Sequence, residues 1–260
     1  MIPSLRVQVV LRDRQILDVL DLSLRFVARH FKAFGIVALV VLVPAYAISL
    51  WIGTAFGWAI GWVVAVVLAA ICQTPFTLLA SKLVFEEKAA VTSSMVAAWH
   101  AMPRLLLVRT GQVLVLCFAF SFCFAPLLFV APSVFFLPEV VLLEGCGIGI
   151  AVDRARKLAA SGTGDTFFAW LVLLAGTLAS VFVLGDYVGR MILEKLLEIS
   201  PPPSIWSSGG NTTALLGFFL FVPFLAAARF FVYINMRTRS EGWDIQAKFF
   251  ALRLRAEEAA

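Results

Sequence analysis

The chain is poor in the residues that hydrolytic and metal enzymes assemble. It has two histidines, His30 and His100, four cysteines and 16 acidic residues among 260 positions. Neither histidine stands in an HExxH or HxH pattern or beside a carboxylate-rich run, so no zinc site or oriented general base is written locally. Cys72, Cys117, Cys123 and Cys146 lack CxxC spacing and lie in or beside apolar segments. They read as small buried apolar residues, not as a disulfide framework or a metal set. The glycine-containing run at 145–149, GCGIG, lacks the preceding strand and following lysine of a phosphate loop. The expectation is a non-enzyme with no catalytic, cofactor-binding or metal-binding residues.

Charge is also scarce. Only 14% of residues are Asp, Glu, Lys or Arg, against about 25% in a soluble domain, and 62% are hydrophobic. With a mean hydropathy of +0.97, so much apolar surface cannot be hidden in one core of this length, and lipid must solvate part of it. A cleavable leader is not expected, because residues 1–14 are polar and basic and the first long apolar run begins near Phe34. No lipidation signal is read at either end. The basic balance, net +5, does not point to nucleic acid, since the cations flank apolar runs, where positive-inside bias and anionic headgroups account for them.

Apolar runs predict an all-α membrane protein with six transmembrane helices at about 34–51, 55–83, 105–125, 127–143, 165–185 and 214–236. Residues 1–32 form a cytoplasmic arm and interfacial helix, 33–236 the transmembrane domain, and 237–260 a cytoplasmic amphipathic tail. Pro75 predicts a kink or tilt in the second span. From Asp13 to Lys32 the period is helical. Arg14, Asp18, Asp21, Arg25, Arg29 and Lys32 share one stripe, with Ile16, Leu17, Leu20, Leu24, Val27 and Phe31 opposite. This predicts a helix lying on the membrane. Further amphipathic pieces are expected at 92–102, 148–160 and 240–255, which suggests an interfacial helix plus a hairpin used three times. All Lys and Arg except Arg190 and Lys195 fall on one side of this topology. Both termini are therefore expected in the cytoplasm. The connection between the fifth and sixth spans is long, with a helical stretch at 187–199, the breaker Pro201-Pro202-Pro203 and a polar loop at 207–213. Its sequon, Asn211-Thr212-Thr213, is read as chance.

The informative polar residues are those at membrane depth and at the cytoplasmic boundary. Arg109, Glu139 and Arg229 lie inside apolar spans, where an unpaired charge is costly. Either Glu139 pairs with Arg229 or Arg109 across neighbouring helices, or the three snorkel independently to the headgroups. Glu144 ends the fourth span and opens EGCGIGIAVDRARKL, whose Arg154, Arg156 and Lys157 are placed to meet anionic lipid. After the last span come Tyr233, Arg237, Arg239, Glu241 and Asp244, polar groups at set depths around a membrane–water junction.

These stretches carry a resemblance. The amphipathic 16–32 segment running into the first span and Pro44, the Glu144, Ala151, Arg154, Leu158 pattern, and the ending Tyr233, Arg237, Arg239, Glu241, Gly242, Asp244 resemble the bacterial six-span family named for the membrane domain of glycerophosphoryl diester phosphodiesterase. Ala155 replaces a usual Ser, and Asn235 stands where that family often has Asp. The catalytic phosphodiesterase domain, with its metal ligands, has no counterpart here, so the resemblance implies location in a bacterial inner membrane and no diester hydrolysis. The expected role is a multi-pass component that anchors or organises partner proteins at the cytoplasmic face, in contact with anionic lipid. The alternative is a lipid or small-molecule translocator using Glu139, Arg109 and Arg229.

Overall fold

The computed structural model describes residues 14–85, 91–121 and 125–242, and every regular element among them is helical. The chain runs through α1 (Ile16–Arg29), α2 (Phe31–Phe56), α3 (Trp58–Phe85), α4 (Val91–Ser121), α5 (Ala125–Ser133), α6 (Leu137–Glu144), α7 (Ile148–Ser161) and α8 (Thr163–Ala179). A π-helical segment, Ser180–Gly189, joins α8 to α9 (Arg190–Lys195). Then come the short α10 (Ile205–Ser208) and the long α11 (Thr212–Glu241). Four helices are long and apolar enough to cross a membrane: Phe31–Phe56, Trp58–Val84, the continuous Thr163–Lys195, and Thr212–Glu241. The protein is an all-helical membrane protein.

Helix α11 is the central post. It packs against α1, α2, α3, α6, α7, α8 and the π-helical segment. Of its most apolar window 61% is buried inside the protein, against 22% for Thr163–Lys195. Both of its ends are capped. The Asn211 side chain accepts from the Ala214 N–H at 2.6 Å, and Gly242 takes the left-handed conformation (φ 59°) that returns its N–H to Thr238. Aromatic contacts hold neighbours to the post: Phe26 of α1 meets Phe231, Tyr46 of α2 meets Phe219, and Phe136 meets Tyr233. At the Thr212 end Trp51 meets Phe56, Trp62 meets Phe218 and Trp206 stacks on Phe182, aromatics of the kind enriched at membrane–water interfaces. There Trp62 donates to the Gly209 carbonyl at 3.0 Å.

Several expectations change. The segment predicted as a fourth span, 127–143, is not one helix. It is α5 and α6 joined by a turn through Val134–Phe136. Pro138, in the first turn of α6, cannot donate to the carbonyl one turn back, so the helix stops and restarts there. The amphipathic piece at 92–102 and the third span at 105–125 are not separate, because α4 runs through both with Pro103 inside it. The second of the three expected helix-plus-hairpin units therefore lacks its free interfacial helix. The helical stretch expected at 187–199 within the connection is helical to Lys195, and there it continues the fifth span through the π-helical segment. Helix α1 ends at Arg29, short of the expected Lys32; it buries Ile16, Val19, Leu20, Ser23 and Phe26 and leaves Leu17 and Leu24 exposed, as is Phe31 at the start of α2. Its inward face is thus turned from the expected one because α1 packs on α11 as well as facing the membrane. The arm at 1–12 and most of the 240–255 helix, with Asp244, lie outside the described residues.

Candidate functional site

Two polar assemblies gather most of the charged residues singled out in the sequence, and both are built on α11. The deeper one surrounds the break between α5 and α6. A broken helix leaves carbonyls without partners, and in a hydrocarbon setting each must be satisfied by protein. The Val134 carbonyl accepts from Gln112 Nε2 at 3.2 Å, and the Phe135 carbonyl accepts from Arg229 Nη2. Arg229 also grips Glu139 with a fork, Nε to Oε1 at 2.8 Å and Nη2 to Oε2 at 3.0 Å. Its guanidinium lies 4.7 Å from the centroid of the Phe135 ring. The pair is enclosed, with side-chain exposures of 10% for Arg229 and 3% for Glu139. Of the two pairings left open by the sequence, the structure forms Glu139–Arg229.

Arg109 sits beside this pair but bonds elsewhere. Its Nη2 donates to Gln73 Oε1 of α3 at 3.2 Å and its Nη1 to Gln112 Oε1 at 3.3 Å. Its Nε is buried without a partner. The cluster therefore holds two guanidinium groups to one carboxylate, drawn from α3, α4, α6 and α11. Gln73 and Gln112 were not foreseen. Their signal in the sequence is an amide inside an otherwise apolar run, at the inner half of each span.

The second assembly lies about one to three helical turns nearer the C-terminal end of α11. Tyr233 donates to Glu144 Oε1 at 2.7 Å, and Arg154 of α7 bonds the other Glu144 oxygen. Arg154 Nη2 also reaches Glu241 Oε1 at 2.7 Å. Arg237 closes the ring, with Nε to Glu241 Oε2 at 2.9 Å and Nη1 to the Tyr233 oxygen at 3.4 Å. Glu144, Arg154, Tyr233, Arg237 and Glu241, 97 positions apart at the extremes of the sequence, make one network tying α6 and α7 to α11. Arg239 bonds Asp165 at the start of α8. Asn235 holds the residue ahead of α1, accepting from the Arg14 N–H at 3.0 Å and donating to its carbonyl at 3.1 Å. An Asp at this position could accept from Arg14 but not donate to it. Arg156 and Lys157 are exposed on the far side of α7 and take no part.

The electrostatics of the ring follow from its contacts. Partial burial pushes the Glu144 carboxyl upward, but the bonds from Arg154 and Tyr233 and the charges of Arg154 and Arg237 outweigh it. The carboxyl is held below its ordinary range. The bond to Glu144 is the main cause holding the Arg154 guanidinium above its ordinary value.

A third polar group, also unforeseen, organises the Thr212 end. Asp186, buried in the π-helical segment, accepts from Ser204 Oγ at 3.0 Å, from the Ile205 N–H at 3.2 Å and from Asn211 Nδ2. It gathers the long connection onto the bundle, and Asn211 of the sequon is buried there. Cys72 and Cys146 are free thiols, and among the described residues no group of three His, Cys, Asp or Glu is placed to hold a metal ion. His30 is engaged by the Phe26 carbonyl at 3.0 Å, and His100 is exposed.

The arrangement defines a helical membrane protein with a buried ion pair supporting a broken helix and a charged ring at one end. The chain matches no family model, no curated protein and no solved structure.

Proposed function

We propose that this protein is a non-enzymatic, multi-pass component of a bacterial inner membrane that presents a rigid cytoplasmic platform to a partner protein. The observation that carries the reading is the ring of Glu144, Arg154, Tyr233, Arg237 and Glu241, which fixes α6, α7 and α11 in one register. Arg239–Asp165 and Asn235–Arg14 add α8 and α1 to the same unit. Exposed apolar side chains stand at this end, among them Leu24 at 58% and Trp99 at 75% exposure. Basic side chains, Arg25, Arg29 and Lys32, lie beside them on α1 and α2 for anionic headgroups. In this reading the chain crosses the membrane six times, with α4 and the broken α5–α6 as the third and fourth crossings and both termini in the cytoplasm. The direction of α6 supports it, since Glu139 meets Arg229 and Glu144 meets Tyr233, so α6 and α11 descend together. Kinship with the six-span family is supported by the meeting of its middle and C-terminal motif residues in one ring.

The test is extraction of tagged full-length protein in its native lipids, followed by native mass spectrometry. A stoichiometric partner is expected, lost in Leu24→Asp or Trp99→Asp protein of unchanged thermal midpoint. Loss of the partner only when the protein unfolds, or no stoichiometric partner at all, rejects the platform.

One observation favours translocation as a second reading: Arg109 leaves a buried Nε without a partner in a cluster of surplus positive charge. Movement of an anionic lipid by the protein alone in liposomes, abolished by Arg109→Gln, would establish it.

A further inference from the structure

The buried cluster carries more positive charge than its own residues balance. Both Glu139 oxygens are taken by the Arg229 fork, at 2.8 and 3.0 Å. Arg109 therefore meets only neutral acceptors, Gln73 Oε1 at 3.2 Å and Gln112 Oε1 at 3.3 Å. A guanidinium has five N–H donors and keeps its charge in proteins. Arg109 uses its two Nη groups on these amides, and its Nε–H is enclosed with no acceptor. The cluster joins α3 and α11, both apolar enough to cross a membrane. In that setting an unbalanced cation is strongly unfavourable.

Snorkelling does not relieve it. Gln112 is fixed by its own bond to the Val134 carbonyl at 3.2 Å, so its oxygen holds Nη1 in place, while Gln73 ties Nη2 to α3. The nearest cation on α4 towards its start, Arg104, reaches the Gly145 carbonyl at the end of α6. Arg109 lies about 8 Å further along the helix from it.

One flank of Arg109 is open. On one side of it Leu105, Val108 and Gln112 are buried. On the other, Leu106 and Val113 are 43% and 39% exposed, and Thr110 is exposed as well. The Gln73 amide nitrogen and the Thr110 hydroxyl have no partner among the described residues. The free groups of Arg109 and Gln73 are all N–H donors. A donor set calls for an acceptor, and a surplus of one positive charge calls for an anion. Water would meet the first demand but not the second. Planar guanidinium donors match the oxygens of a phosphate group, and a phosphodiester carries the single negative charge that makes the cluster neutral.

We propose that Arg109 anchors an oxyanion site on this flank of α4, which takes one phosphate group, of a lipid headgroup or a free phosphate, as the counter-ion of the cluster. The site deepens the second reading and rests on it for its location. It requires no movement of lipid across the membrane and no platform partner.

The test uses full-length protein in phosphatidylcholine nanodiscs, with native mass spectra and thermal midpoints read in two arms. In one the discs contain phosphatidylglycerol; in the other inorganic phosphate is added to discs without it. Wild type is expected to hold one phosphate group per chain about fivefold more tightly than Arg109→Gln protein, the worth of one cation–phosphate contact. Its midpoint should rise with the occupant by mass action. A bound phosphatidylglycerol assigns the headgroup and a bound inorganic phosphate a free ion, and either supports the site. Arg109→Lys, which keeps the charge and loses the planar donors, covers the case in which Arg109→Gln does not fold, and should hold the phosphate less tightly than wild type. Arg25→Gln removes a cation whose side chain is 77% exposed and should leave retention unchanged. No retained phosphate in either arm, equal retention by wild type, Arg109→Gln and Arg109→Lys, or an equal loss in Arg25→Gln would each overturn the assignment. Retention at Arg109 without lipid movement in liposomes leaves the site standing while translocation falls.

Discussion

The buried cluster and the ring near the C-terminal end of α11 use the same chemistry at two depths. Both pair arginine with glutamate and both rest on α11. In the cluster the Arg229–Glu139 pair is almost sealed, whereas in the ring Arg154 and Glu241 keep 33% and 28% of their side-chain surface. Depth changes what the pair does. Beneath the surface a lost partner leaves a charge that neither water nor lipid can solvate, so the pair behaves as one unit with the helix break it supports. At the boundary water can take over either charge, so each bond contributes little and the ring acts by joining helices.

The largest effect expected from breaking this contrast is at Glu139. Glu139→Gln should cost about 3–5 kcal/mol, because Arg229 remains buried without its counter-charge, read as a drop in the midpoint of detergent-induced unfolding. Glu139→Arg should be worse, with partial recovery in Glu139→Arg/Arg229→Glu and none in Glu139→Arg/Arg109→Glu. Equal recovery by both second changes would contradict the observed pairing. Next is Gln112→Leu, which removes one of two bonds at the Val134 carbonyl, leaving that from the Leu137 N–H, and one of two at Arg109, leaving that to Gln73. The expected cost is about 1–3 kcal/mol, with faster exchange of backbone amides across 134–138 as the local readout.

Glu144→Gln should cost about 1 kcal/mol after allowance for solvent screening, and its signature is the pH profile. The folded carboxyl is depressed. Its stabilisation is therefore complete above the ordinary glutamate value of about 4.3 and is lost as pH falls through the folded value. The wild-type midpoint should fall in that acidic window, and Glu144→Gln should flatten the fall. An identical slope in the two proteins would show that the ring carboxylate is not the linked group. Smallest of all, Arg156→Gln with Lys157→Gln should leave the unfolding midpoint unmoved, since both face away from the ring. A clear shift would mean that α7 is held by more than Arg154.

Much of the architecture was legible because hydrophobic runs act locally. The helices at α2, α3 and α11 are where the apolar runs put them, and the break at Gly57, where φ is 100°, separates the first two. Arg109, Glu139 and Arg229 stood out because charge is rare in such runs. Their partners did not, because Gln73, Gln112 and the carbonyls of Val134 and Phe135 come from two helices, α3 and α4, and a helix break. The same is true at the other end, where Asp186 gains its meaning from Ser204, Ile205 and Asn211.

By itself the sequence determined that this is a helical chain with long segments apolar enough to lie in lipid, and which charges stand inside them. Those properties follow from transfer free energies and helical periodicity, which each stretch of chain carries with it. Tertiary structure decided which arginine meets Glu139, that the fourth apolar segment breaks into α5 and α6, and that two distant motifs close a ring through Tyr233–Glu144 and Glu241–Arg154, 89 and 87 positions apart. Side-chain direction and helix approach depend on distant residues arriving together, and no local pattern of residues encodes that meeting.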